Sequence, residues 1–486
     1  MSDLSDLEPR ALWGYFLELS AIPRGSKNEA AAARWAAEQG RRLELAVETD
    51  SAGNVLIRKP ASAGREGRPG IALQAHLDMV CEKNEGTPHD FQKDPIQVVR
   101  DGDRLRARGT TLGADNGVGV CAALAALAAR DLAHPALEVL LTVDEETGLT
   151  GANAVRPGWL RSLRLLNLDS EEEGELTIGC AGGIDTLARR EVAFASPTQG
   201  RRALRVKVHG LKGGHSGIDI AAGRGNALRI LGQLLAQVVP AHGLELASVR
   251  GGNKRNAIPR EAVAVVHVDP AREEVLAADL ARMGAEWRRA LGAFDPGVAV
   301  SLEPLAADDP GGARALSPAD ASGVIGLLLA GPHGVEAMSP DIPGLVQTST
   351  NLGVVETTDR SVEMCFLTRS SVEASKAALA ARIAGIAALA GFESQSSNGY
   401  PGWKPEPGAA IVKLVDGAHR GLFGKPMKVK AIHAGLECGI LGGKYPGMEM
   451  ASIGPSMWDV HTPDEHVSIP SVQNFWRLLA AVLEQA

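Results

Sequence analysis

The sequence predicts an α/β protein with a second, α+β portion set within it, on three observations. Between residues 71 and 169, short apolar runs alternate with helical stretches, the rhythm of strands and helices layered in one sheet. A middle region, 188–399, carries alternating strands followed by long helices and holds few metal-ligand side chains, the pattern of an α+β domain. The last stretch, 400–486, returns to Pro/Gly-rich turns and a cluster of His, Asp and Glu. At 486 residues the chain exceeds the size at which one core stops growing. Two domains are expected: 1–187 with 400–486, and 188–399.

In the first part, 71–77, 137–143 and 165–168 read as strands and 117–130 as a helix. The apolar run 118–129 is far shorter than the ~20 residues that span a membrane, so it reads as a buried helix. In the middle, 203–208 and 262–268 read as strands, and 225–238 and 372–390 as helices. Two similar strand-helix passages suggest an internal duplication, although no sequence repeat is visible. An amphipathic helix from about residue 471 closes the chain.

Hydrophobic residues make up 45% and charged residues 22%, as in a globular chain able to bury a large core. A net charge of −8 offers phosphates no basic field, which excludes nucleic acid as an expected partner. Residues 1–10 are acidic and polar where a secretory leader would be basic and then apolar, so the expected compartment is the cytoplasm, with no membrane partner. Cys81, Cys121, Cys180, Cys365 and Cys438 never form Cys-x-x-Cys. They are expected to be buried free thiols.

In α/β sheets, functional side chains sit just past the carboxyl ends of strands, and His76, Asp78, Glu145, Glu146 and Asp169 all fall there. Asp115 in Gly-Ala-Asp-Asn-Gly and His461 in Val-His-Thr-Pro add further donors. Singly, each reads as a structural residue or a turn. Together, in apolar surroundings where an unpaired charge costs several kcal/mol, His76, Asp115, Glu146, Asp169 and His461 read as ligands for zinc, manganese or cobalt. Asp78, two residues from His76 on a strand end, would share its face and fix the ring's tautomer. Glu145 would diverge from Glu146 in an extended segment and take a proton from the attacking water as general base.

The order His-x-Asp, Asp-Asn-Gly, Glu-Glu-x-Gly, Leu-Asp and a late His resembles the M20 metallopeptidases. Longer strings, among them QAHLDMVCEKN at 74–84, GTTLGADNGVG at 109–119, GLKGGHSGIDI at 210–220, GGNKRNAIP at 251–259 and AIHAGLECG at 431–439, resemble the aminoacyl-histidine dipeptidase branch of that group. The resemblance implies a zinc-peptidase-like α/β catalytic domain with an inserted α+β lid domain. It implies two divalent metal ions, zinc first, bridged by Asp115, with His76 and Asp169 on one and Glu146 and His461 on the other, and a cis peptide at Asp115–Asn116. His215 would help stabilise the tetrahedral oxyanion, Asn256 would meet the substrate backbone, and Arg369 would grip the terminal carboxylate. Glu437 would hold the substrate's free α-ammonium. Trp403 reads as a packing anchor.

The activity implied is hydrolysis of Xaa-His and related dipeptides, with small peptides as partners and a homodimer as the assembly considered. The alternatives on the same scaffold are an N-acyl amino acid deacylase, a tripeptidase, or a catalytically silent peptide-binding homologue. The last would lack Glu145 or a ligand, and all seven core residues are present.

Overall fold

The computed structural model describes residue 4 and residues 6–306 and 309–486, so part of the acidic terminus lies outside it. Two compact units result: Met1–Cys180 with Trp403–Ala431 and Leu436–Ala486, and Ala181–Gly402 with Ile432–Gly435. The divide falls slightly outside 188–399 because Gly182–Glu191 is one unbroken strand, paired along its length with Ser361–Ser370, and Tyr400 still pairs with Gly183.

The first unit holds an eight-stranded sheet in the order Ala46–Thr49, Val55–Lys59, Leu137–Thr142, Ile71–His76, Arg164–Asn167, Glu449–Ser452, Glu175–Cys180, Lys428–Ile432. The third to sixth of these run parallel. Ile71–His76 and Leu137–Thr142 are buried at every position, as continuous apolar strands covered on both faces must be. The helix Ala114–Ala128 is buried from Asn116 through Leu127, the fate expected of its apolar run. The terminal helix, Ile469–Gln485, turns Val472, Phe475, Leu479, Val482 and Leu483 inward, the spacing of one helical face. A small sheet pairs Arg104–Ala107 with His466–Ser468, which ties the late His/Asp/Glu cluster to the early part of the unit.

The second unit is built on one antiparallel sheet: Ala299–Pro304, Arg202–His209, Ala262–Val268, Glu245–Gly251, Val346–Thr357, Ser361–Ser370, Gly182–Glu191, Glu393–Tyr400. Its halves repeat one design of strand, helix, two strands, helix, strand. The helices are Ala227–His242 and Glu273–Leu291 in one half, Pro318–Ala330 and Glu373–Leu389 in the other. From each edge inward the strand order is fourth, first, third, second. The suspected duplication is therefore present in the topology. One half is inserted between the first strand and first helix of the other, which hides the repeat from a linear reading. The helix expected from 225 starts at Ala227 because Asn226 caps it, accepting from the Leu228 and Arg229 N–H groups at 3.0 and 3.2 Å.

The five cysteines are all free thiols. Cys121, Cys180 and Cys438 are buried, but Cys81, in the loop after Ile71–His76, and Cys365, in the strand Ser361–Ser370, are only half-buried. Trp403 is buried and its backbone pairs with Cys180. No helix among the described residues is long and apolar enough to cross a membrane.

Candidate metal centre

The carboxyl ends of the parallel strands deliver the site. Ile71–His76 ends on His76 itself, and Asp78, Glu145 and Asp169 lie within a few residues of the ends of their strands. His76 Nε2 lies 3.1 Å from Asp115 Oδ1 and 3.3 Å from Asp169 Oδ1. His461 Nε2 lies 3.1 Å from Asp115 Oδ2 and 3.1 Å from Glu146 Oε1. Asp115 thus turns one oxygen to each imidazole. The trios His76, Asp115, Asp169 and Asp115, Glu146, His461 each place their donor atoms within 4.8 Å of one another. The Asp115–Asn116 peptide is cis.

Burial pushes the Asp169 carboxyl up to about 7, with Asp115 and Glu146 adding repulsion. Burial would raise Asp115 as well, but hydrogen bonds from His461 and His76 outweigh it and hold the group well below the carboxylate range. The Asp115 and Glu146 carboxylates in turn raise His461 to about 11. Burial opposes a charge on His76 too, but Asp169, Asp115 and Asp78 raise it well above its ordinary value, so both rings favour a proton here. Glu146 Oε1 is nonetheless buried without a hydrogen bond, since the His461 ring nitrogen is directed at Asp115. A cation in each trio would replace those protons and satisfy the orphaned oxygen, so these residues fit two divalent ions of the kind that accept imidazole and carboxylate.

Asp78 sits beneath His76, with Oδ1 3.3 Å from His76 Nδ1. It also accepts the N–H groups of Glu145 and Glu146 at 3.0 and 3.2 Å and the Ser26 hydroxyl at 2.8 Å. Burial opposes ionisation, but His76 and these donors hold its carboxyl at about 2. Asp78 forms an acidic group with Glu29 and Asp144, yet Glu29 Oε1 already accepts the N–H groups of Lys27 and Asp144, and both Asp144 oxygens accept the Thr147 and Thr150 hydroxyls. Glu145 and Glu146 begin a short helix, Glu145–Gly148, rather than an extended segment. Their side chains still diverge, by the ~100° between successive helical residues. Glu145 is pushed well above the usual range by burial and then by Asp169, Glu437 and Glu146. It can also group with His76 and Glu146 as a donor.

Glu437 is 2% exposed. Its Oε2 accepts from Gln74 Nε2 at 2.5 Å and Thr142 Oγ at 2.7 Å, while Oε1 is buried without a partner. Burial lifts its carboxyl to about 7.

Within the second unit, the hairpin of Gly214–His215 against Ala257–Ile258 sets His215 beside Asn256, whose carbonyl accepts the Ser216 N–H at 2.9 Å. The Asn256 side chain is exposed. Arg369 is buried, with Nη1 donating to the Tyr400 hydroxyl at 3.0 Å and its other nitrogens 3.4 Å from Ser216 Oγ and His215 Nε2. Among the described residues it has no acidic partner. Burial and then Arg369 hold His215 on the neutral side. Its Nδ1 accepts the N–H groups of Gly217 and Ile218 at 3.3 and 3.1 Å, while the Arg369 guanidinium faces Nε2.

Residues 72–485 match the model of peptidase family M20/M25/M40. The chain belongs to that family. It is 42% identical to the cytosol non-specific dipeptidase of Escherichia coli K12, over all of this chain and 99% of that protein. The peptidase also matches the crystal structure of an aminoacylhistidine dipeptidase from Vibrio alginolyticus, with a TM-score of 0.93 and 41% identity over 99% of this chain and 98% of the other. Aminopeptidase PepT from Bacillus cereus, at 16% identity and a TM-score of 0.58 over 99% of both chains, shares the fold.

Two residues that position the peptidase's Asp115 loop carry no signal that spacing alone reveals. Glu465 is buried and its carboxylate accepts four backbone N–H groups, those of Leu112, Gly113, Ala114 and Asp115, at 2.7 to 3.4 Å. Arg24 clamps the other side, donating to the carbonyls of Leu77, Asp78 and Gly113. Gly113 has φ 70°, and a Cβ there would lie 2.5 Å from the Arg24 guanidinium. Glu465 lies inside the HTPDEH string, where its neighbour His461 drew the chemical reading. Glu465→Gln replaces one acceptor oxygen by a donor facing backbone donors. It is expected to lower unfolding stability by about 3 kcal/mol, read as a fall in the urea midpoint; an unchanged midpoint would remove the carboxylate from this role.

Proposed function

We propose that this peptidase hydrolyses dipeptides bearing a free amino terminus, Xaa-His among them, in the cytoplasm, with two divalent ions, zinc first, held by the two trios that share Asp115. The observation that carries the reading is Asp115 itself, one oxygen toward each imidazole, with a further carboxylate beside each ring. When bound, such an ion pair acidifies water and polarises the scissile carbonyl.

Glu145 receives the proton of the attacking water as the C–O bond forms and the carbonyl becomes the tetrahedral oxyanion, then returns it to the amine nitrogen as the oxyanion collapses and the C–N bond breaks. Asp78 holds His76 in one orientation and its neighbouring helix start in place. In this reading the second unit is the lid domain. His215 donates a ring proton to the oxyanion, Asn256 meets the substrate backbone, and Arg369, a buried cation without an acidic partner among the described residues, receives the terminal carboxylate. Glu437 supplies the unpaired oxygen for the α-ammonium.

The test is a hydrolysis screen of chelator-stripped protein restored with zinc, manganese or cobalt, using Xaa-His dipeptides, other dipeptides, tripeptides and N-acyl amino acids. Metal-dependent cleavage of dipeptides with histidine released is the expected result. Activity confined to N-acyl amino acids or tripeptides would overturn the substrate assignment, and none with any substrate would overturn the reading.

A further inference from the structure

We infer that Gln74 is a specificity-determining positioning residue, the end of a polar row that aims Glu437 at the substrate's amino terminus. The inference rests on the reading of Glu437 as the α-ammonium partner. Gln74, Asn167 and Ser452 are register neighbours on three adjacent parallel strands, where a sheet covered on both faces ordinarily carries apolar side chains. All three are buried.

The hydrogen bonds along the row run in one direction. Ser452 Oγ donates to Asn167 Oδ1 at 2.5 Å, and the Asp169 N–H approaches the same oxygen at 3.3 Å. Asn167 must therefore turn its Nδ2 to Gln74 Oε1, at 2.6 Å. That contact in turn denies the Gln74 amide its flipped orientation, because the flip would set two N–H groups face to face. Gln74 Nε2 is left to donate, and it does so to Glu437 Oε2 at 2.5 Å and Thr142 Oγ at 3.2 Å. Thr142 adds its own hydroxyl to the same oxygen at 2.7 Å.

One oxygen of Glu437 is thus immobilised by two donors while the other, Oε1, is buried with none. An unsatisfied buried carboxylate oxygen is costly, and it sits within electrostatic reach of His76, Asp169 and Glu145. An ammonium satisfies it with charge and a donor. An acylated amine brings no charge, and a des-amino compound brings nothing. Holding Oε1 in one position is what lets the carboxylate discriminate among them.

The experiment measures, on metal-loaded protein by calorimetry, the dissociation constants of a reduced-bond alanyl-alanine analogue and of its des-amino counterpart. The readout is the ratio of the two. Gln74→Met, close in shape but without donor or acceptor, is expected to shrink that ratio about tenfold or more, with metal content retained. General loosening of the fold would weaken both probes together and leave the ratio alone. Ser452→Ala, which removes one of the two donors that hold the Asn167 amide and leaves only the longer one from Asp169, is expected to shift the ratio the same way by a smaller factor and serves as the test if Gln74→Met does not fold. A ratio held within a factor of about two in the folded variants, while Glu437→Gln collapses it, overturns the role of Gln74 and keeps the amine reading. A ratio unmoved by Glu437→Gln overturns both.

Discussion

Replacing Glu145 by Ala is expected to lower kcat by about 10²- to 10⁴-fold while the protein keeps its full complement of divalent metal. The separation of the two effects is the point of the measurement. Glu145 is half-buried at the start of the helix Glu145–Gly148, close to His76, Asp169 and Glu146, yet its carboxylate does not contact a ring nitrogen of His76 or His461 as those of Asp115, Glu146 and Asp169 do. Because its atoms can also group with His76 and Glu146, a ligand role is the physical alternative. Steady-state kinetics paired with elemental analysis of the dialysed variant distinguish the two. Loss of metal in step with loss of rate would make Glu145 a ligand and leave the base to be found elsewhere.

His461→Ala is expected to remove one of the two metal ions and Asp115→Ala both, each with near-complete loss of dipeptide hydrolysis. His461 contacts Asp115 and Glu146 but not Asp169, so its loss leaves the trio around His76 whole. Asp115 belongs to both trios, and without it each is reduced to two protein donors, fewer than the three a catalytic site of this kind retains. Metal-to-protein ratios near one for His461→Ala and near zero for Asp115→Ala are the readings to look for. A His461 variant that kept both ions would show that the second trio is not a site.

These expectations grew from residues visible in the linear sequence, and the reason is local. A strand that ends on His and continues to Asp two residues later presents both on one side, and the two side chains do lie together, His76 Nδ1 3.3 Å from Asp78 Oδ1, although the contact lacks hydrogen-bond geometry. The long apolar runs were legible as buried strands and helices because burial on both faces leaves no room for polar alternation. The Glu145–Glu146 segment shows where local reading stopped. It is helical, not extended, because Asp78 from another strand accepts both of their N–H groups, a bond no neighbour in sequence reports.

What the sequence by itself determined was the class of the fold and a set of seven candidate residues in order from His76 to His461, since ligand chemistry restricts which side chains can serve and strand ends restrict where they stand. What only the tertiary structure decided was which oxygen of Asp115 meets which imidazole, the four N–H groups gathered by Glu465, the contact of Arg369 with His215 and the row from Ser452 to Glu437. Each depends on groups far apart in the chain, as with Asn167 and Ser452 or Leu112 and Glu465. Their pairing is set by the order in which strands lie side by side, and a buried polar group takes whichever partner that order provides.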